Sequence, residues 1–350
     1  MPWFSWFLLL LTVSNAPQGA PVAASFAGGA LFVWIEGSSP RAGIYRSPAP
    51  IANPIALPGD RCSVTPADDF ALLLCAMPDN SVIAVRVDSN GNEIPPRKSI
   101  PLPAPVSAAW NGSKFLIASV DRVGQITNQL FDRNLDPLGP SHWVFRFSPN
   151  GISVQVGTAG DRFLIVIEEV WHVTCGFECP PPGAEIHVQP VASDGSPMSE
   201  VVVTNHGWMP RIANDGSALT LVWTEFIHDG IRARRIAGDG TFLGDEVVIA
   251  DGRAYDPRVA WDGQRYDVSF RHDTLRDVGH GVKDIDARFV DLARLTPDLT
   301  TLSLNETPLV DAPPSEIVVA GDRLVRAYVV NSRIVLDELP LRPRGRAAGH

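Results

Sequence analysis

ANDGSALTLVWTE (Ala213–Glu225) and AWDGQRYDVSFRHD (Ala260–Asp273) are two versions of one phrase. Each enters on a short apolar run, turns through Asp-Gly and leaves on a second apolar run. Asp-Gly supplies residues that tolerate the positive φ of a tight hairpin, so the phrase predicts two antiparallel strands. The phrase stands again at Ala109 (AWNGSKFLIAS), Ala159 (AGDRFLIVIEE) and Ala320 (AGDRLVRAYVV), with weaker copies at Phe26 (FAGGALFVWIE) and Ala67 (ADDFALLLCAM). The copies lie about 40 to 60 residues apart, the period of β-propeller blades.

Working outward from Asp215-Gly216, Arg211–Ala213 reads as an inner strand and Ala218–Thr224 as a second. Ile231–Ile236 alternates as a half-exposed third strand should, and Glu246–Ala250 follows as a fourth. The second strands are apolar on both faces: Phe163, Ile165 and Ile167 point one way, Leu164 and Val166 the other. A sheet with one wet face would alternate, so each blade is expected to be covered on both sides by neighbours. Trp223, Phe270 and Tyr328 hold equivalent places and are expected to fill the space between blades. The chain thus reads as all-β, a single β-propeller of seven blades of four antiparallel strands, beginning near Val22, Arg61, Pro105, Gly151, Met209, Pro257 and Glu316. The last blade shows three strands, and residues around Pro17 to Pro21 are the candidates for a fourth. The propeller is expected over residues 25–340, between a signal peptide (1–24) and a flexible C-terminal tail (341–350).

The runs VAWDGQRYDVSF…DIDARFVD from Val259 and IANDGSALTLVWTE…IRARRIAGDGTFLGDE from Ile212 resemble the tandem repeats of secreted bacterial β-propeller proteins. The resemblance covers most of Ala104 to Arg333 and little of the first hundred residues. It implies a fold and an exported location. It implies no catalytic residues, because most such proteins have no assigned activity.

Composition narrows the function. A net charge of −10 argues against nucleic acid and anionic membranes, which require clustered Lys and Arg. WFSWFLLLLTV (Trp3–Val13) is an apolar run too short to span a bilayer comfortably, followed by small residues with cleavage sites after Ser14-Asn15-Ala16 or Val22-Ala23-Ala24. A secreted or periplasmic protein is expected, with no transmembrane anchor after cleavage. Four cysteines suit an oxidising compartment. Cys62 and Cys75 flank Asp68-Asp69 symmetrically and would face each other across a hairpin. Cys175 and Cys179 share one loop, where a second disulfide is preferred over a zinc set with His172 and His187, because the spacing matches no common zinc pattern.

Candidate site residues fall in two groups. An acidic residue ends the second strand of most blades: Glu36, Asp79, Asp121, Glu169, Glu225 and Asp273. These could form a ring at one rim, or each could bind its own hairpin or a third-strand arginine such as Arg232 or Arg234. Two long loops, Val170–Gly183 and His272–Lys283, carry Trp171, His172, Asp273, Arg276 and His280 as candidate ligand-binding residues. VDSNGNEI from Val87 is faintly like a calcium loop but lacks the closing Glu. The sialidase Asp-box is absent, as are G-x-S-x-G, H-E-x-x-H and a phosphate-cradling glycine loop. No catalytic residue, cofactor or resident metal is expected. The sequence points to a monomeric, non-enzymatic binding or scaffold module for a protein or surface polysaccharide. The alternative is a carbohydrate-active hydrolase or lyase.

Overall fold

The computed structural model describes residues 21–340, except for 37, 48, 52, 122–123, 147–151, 172–182, 226–229, 280–281, 310–314, 322 and 331–332. Its regular elements are strands, in seven antiparallel sheets that begin at Val22, Arg61, Val106, Ile152, Gly207, Ala254 and Ser315. Within each sheet the strands follow chain order. The innermost strands (Val22–Phe26, Arg61–Pro66, Val106–Trp110, Ile152–Ala159, Gly207–Asn214, Ala254–Trp261 and Ser315–Ala320) each lie beside the next, and the last lies beside the first. The sheets are therefore the blades of a closed ring, a seven-bladed β-propeller. Blades 1 to 6 have four strands and blade 7 has three among the described residues.

Packing explains why the ring forms. Leu164 and Ile165 are neighbours on one strand and both are fully buried. Phe163, Ile165 and Ile167 pack with Leu116, Ala118 and Ile126 of blade 3. Leu164 and Val166 pack with Leu219, Leu221 and Trp223 of blade 5. Every pair of adjacent blades shares such a core, including the pair that joins the chain's two ends, where Phe32 and Trp34 meet Val318, Val325 and Ala327. Each buried Val, Leu, Ile or Phe contributes about 1.5–3 kcal/mol, so no blade could hold this much apolar surface alone.

The turns follow the repeat. Gly216 (φ 89°) and Gly263 (φ 95°) take the left-handed conformation that the hairpins require. Asp88 accepts the amides of Asn90 and Asn92, both at 2.8 Å, which makes VDSNGNEI an ordinary capped turn. Cys62 and Cys75 stand in register and form the expected disulfide, with Cα atoms 4.0 Å apart.

Several expectations change. His272–Lys283 is not a long loop: Tyr266–Gly279 and Val282–Leu295 are two 14-residue strands of one hairpin. In register, Asp273 stands opposite Arg288, Arg276 opposite Asp284 and Asp277 opposite Lys283. Tyr328 is half-buried, because it lies on the face of blade 7 turned to the thin core shared with blade 6. The first strand starts at Val22, ahead of residue 24; a cut after Ala24 would divide it, whereas one after Ala16 leaves it whole. Residues 1–20, the tail at 341–350, and Cys175 and Cys179 lie outside the described residues. Among the described residues no helix is long and apolar enough to cross a membrane.

Candidate functional site

The inner strands place one register-equivalent residue from each blade near the axis. Val22 pairs with Val33, Ser63 with Leu74, Ser107 with Ala118, Gln155 with Val166, Arg211 with Val222, Arg258 with Ser269 and Glu316 with Ala327. The ring is therefore lopsided. Blades 1 to 3 contribute small or apolar side chains, and blades 4 to 7 contribute an amide, two guanidinium groups and a carboxylate.

Backbone irregularity delivers the two arginines. Met209 (φ 54°) and Asp256 (φ 55°) are non-glycine residues in the left-handed region, and each precedes a proline. Pairing slips between Trp208 and Arg211 and again between Tyr255 and Arg258. These are bulges, which bend a strand and re-aim the side chain that follows. The strained residue is held in blade 5 by a neighbour: the Met209 amide donates to Glu168 Oε1 at 2.7 Å. Glu168 also accepts Ser153 Oγ at 2.8 Å. Burial pushes its carboxyl above the usual range, and the two hydrogen bonds only partly offset that.

Arg258 is 2 % exposed. It donates through Nη1 to Asp256 Oδ1 (2.7 Å) and Pro257 O (2.8 Å), and its Nε lies 3.1 Å from Glu316 Oε2. Burial pushes Glu316 up, against the pull of Arg258 and Arg211. Arg211 donates to Pro210 O at 2.8 Å, beside Gln155 Nε2, which donates to the same carbonyl. Burial, and then the charge of Arg258, bring its pKa down to about 10, so it remains a cation at neutral pH.

These groups border an axial cavity of about 210 Å³. Its wall includes Gln155, Arg211, Trp261 and Glu316 on one side and Ala23, Ala24 and Ser25 on the other. Glu316 is the one carboxylate among the described residues of that wall. The indole of Trp261 is fixed by Tyr266, with ring centroids 4.6 Å apart. The site thus offers a cation, an amide, a carboxylate and an aromatic ring in a space smaller than the roughly 300 Å³ of an ordinary ligand pocket.

Sequence reasoning missed this site. Met-Pro-Arg and Asp-Pro-Arg were legible as a recurring triplet, but the prolines read only as blade starts. The candidates it chose lie elsewhere. Glu36 is 3.2 Å from Arg41 of its own blade. Asp79 accepts Ser81 Oγ (2.6 Å) and the Ser81 amide (3.0 Å), which hold its carboxyl below the usual range. Asp121 accepts the Gln125 amide at 2.9 Å, Asp273 accepts Tyr255 Oη at 3.1 Å, and Glu225 is buried. Arg232 turns to Asp251 at 2.9 Å, and Arg234 lies over the Phe242 ring, 3.6 Å from its centroid. Glu169 stands in a separate group with Glu185 and His187. His172 and His280 lie outside the described residues, as do the side chains of Trp171 and Arg276.

No family model matches the chain, and no curated protein matches its sequence. Solved structures do resemble it in fold. A chain of Kuenenia stuttgartiensis hydrazine synthase superposes with a TM-score of 0.58 at 10 % identity, covering 96 % of this chain and 100 % of that one. The β-propeller domain of the Trilobed protease from Pyrococcus furiosus, described as having an open velcro topology, gives 0.53 at 13 % identity, covering 93 % and 99 %. The WD40 domain of Toxoplasma gondii coronin gives 0.53 at 12 % identity, covering 96 % and 84 %. At these identities the likeness is one of fold.

Proposed function

We propose that this protein is an exported, monomeric binding module that takes an end group of a surface polysaccharide or protein into the polar half of its axial cavity. Arg211 receives a carboxylate or paired hydroxyls, Gln155 and Glu316 fix orientation, and Trp261 covers one face. The rim residues Trp171, His172, Asp273, Arg276 and His280 would hold the remainder of a longer ligand. Cleavage after Ala16 would preserve the strand whose Ala23 and Ala24 border the cavity.

The observation that carries this reading is the single carboxylate in the described wall. Glycoside hydrolysis ordinarily needs two carboxyl groups, about 5–10 Å apart across the substrate. Glu168 does not supply the second, because it is committed to Ser153 and the Met209 amide. The second reading, a carbohydrate-active hydrolase or lyase, is favoured by the raised pKa of Glu316, a property of general acids. A glycan array that includes acidic sugars, probed with the mature protein and with Arg211→Met, separates the two. Binding that the variant loses, with no release of product, supports the module. Turnover of any arrayed sugar overturns it in favour of the enzyme, and no binding to any sugar or surface-protein ligand overturns both.

A further inference from the structure

Blade 4 carries a second group of polar side chains, outside the axial cavity and unused by the function proposed above. Glu169 stands two residues before the end of the second strand, Arg162–Trp171, and Glu185 lies directly opposite it on the third. His187 lies two residues on from Glu185, on the same face of the sheet. One ligand atom from each of these three residues lies within 4.8 Å of the other two. His187 is 5 % exposed, and both its ring nitrogens face carboxylates: Nδ1 is 2.9 Å from Glu200 Oε1, and Nε2 is 3.0 Å from Glu185 Oε2.

Glu169 and Glu185 thus set two carboxylates at directly facing positions, beside a buried imidazole whose ring nitrogens both point at carboxylates. A divalent cation would fit among these three side chains. It would take the Nε2 lone pair and one oxygen from each of Glu169 and Glu185. Nδ1–H would then donate to Glu200, the carboxylate–histidine–metal arrangement that fixes a ligating ring. Ligand distances of about 2.0–2.2 Å imply ligand–ligand edges near 3.0–3.5 Å, and the gap between Nε2 and Glu185 is already in that range.

We infer that Glu169, Glu185 and His187 form a binding site for a divalent transition ion of the Zn²⁺ or Mn²⁺ class, with Glu200 orienting the histidine. Mixed imidazole and carboxylate ligands suit these ions better than Ca²⁺ or Mg²⁺, which prefer all-oxygen sets. The site departs from the sequence-based expectation of no metal, and it stands whether or not the axial cavity binds a ligand.

The test uses the full mature chain with its disulfides intact, stripped with EDTA and titrated with Zn²⁺ and, separately, Mn²⁺ by calorimetry. One equivalent should bind. Glu200→Gln should weaken binding about 10- to 100-fold by disturbing the ring. Glu185→Gln should weaken it further and His187→Ala should abolish it, while Glu316→Gln leaves it unchanged. Thermal melts of each metal-free variant identify any that fail to fold, and X-ray absorption of the Zn²⁺-loaded wild type then carries the test, with one nitrogen and otherwise oxygen ligands expected. Absence of stoichiometric binding by either ion, binding untouched by His187→Ala, or a sulfur-ligated zinc would each overturn the inference.

Discussion

Among single residues, the turn aspartates show how a local motif becomes stability. Asp215 accepts Ser217 Oγ and the amides of Ser217 and Ala218, and it pairs with Arg235. Burial alone would raise its pKa, but the hydrogen bonds outweigh it and bring the value down to about 2. Because the folded value lies below the ordinary 3.8, this stabilisation is whole above about pH 4 and fades as pH falls toward 2. Asp215→Ala should therefore cost about 2 kcal/mol at pH 7 and much less at pH 2, as read from urea unfolding at the two pH values. An equal cost at both would refute the linkage. Arg258 makes the complementary case. Replacing it with Leu removes the nearest cation from the buried Asp256 and Glu316, which should cost about 3–5 kcal/mol by the same method. Asp215 was legible because Asp-Gly announces a hairpin by itself. Arg211 and Arg258 were not, because their placement depends on bulges at Met209-Pro210 and Asp256-Pro257 that a proline-bearing strand does not announce.

For whole strands, the doubly apolar run was the most informative signal. Leu164→Ala and Ile165→Ala face opposite cores, so each should cost about 2–5 kcal/mol in urea unfolding. If one proved neutral, one face of blade 4 would be wet and the stacking of blades wrong. The Cys62–Cys75 hairpin was equally readable, since the two residues are equidistant from their turn. Reducing this bridge should lower stability by up to about 3 kcal/mol on the loop-entropy model, measured as a shift in the denaturation midpoint with and without dithiothreitol. The hairpin Tyr266–Gly279 and Val282–Leu295 was misread because RHDTLRDVG has the composition of a loop. Its pairing rests on the register with the partner strand, which no local window of sequence includes.

Across the whole molecule, the seven interfaces are unequal. Blades 6 and 7 share three buried apolar residues, Ile317, Val319 and Leu324, with Ala260 and Leu292 packed alongside, whereas each other interface holds eight or more among the described residues. The Arg258–Glu316 ion pair lies at that same junction, and a buried pair returns little net stability. Hydrogen exchange should find the strands of blade 7 the least protected of the second and third strands in the ring; protection equal to that of blade 4 would contradict this ranking. The repeat period made the ring legible, but the quality of each junction depends on side chains that meet from distant parts of the sequence. The seam between blades 7 and 1 has a further consequence. Phe32 and Trp34 close it against Val318 and Val325, and Ser25 Oγ donates to Val319 O, yet no described sheet borrows a strand from the other end of the chain. Among the described residues the ring closes by packing between blades alone, so a circular permutant severed between blades 3 and 4, with the present ends tethered, should assemble the same wheel.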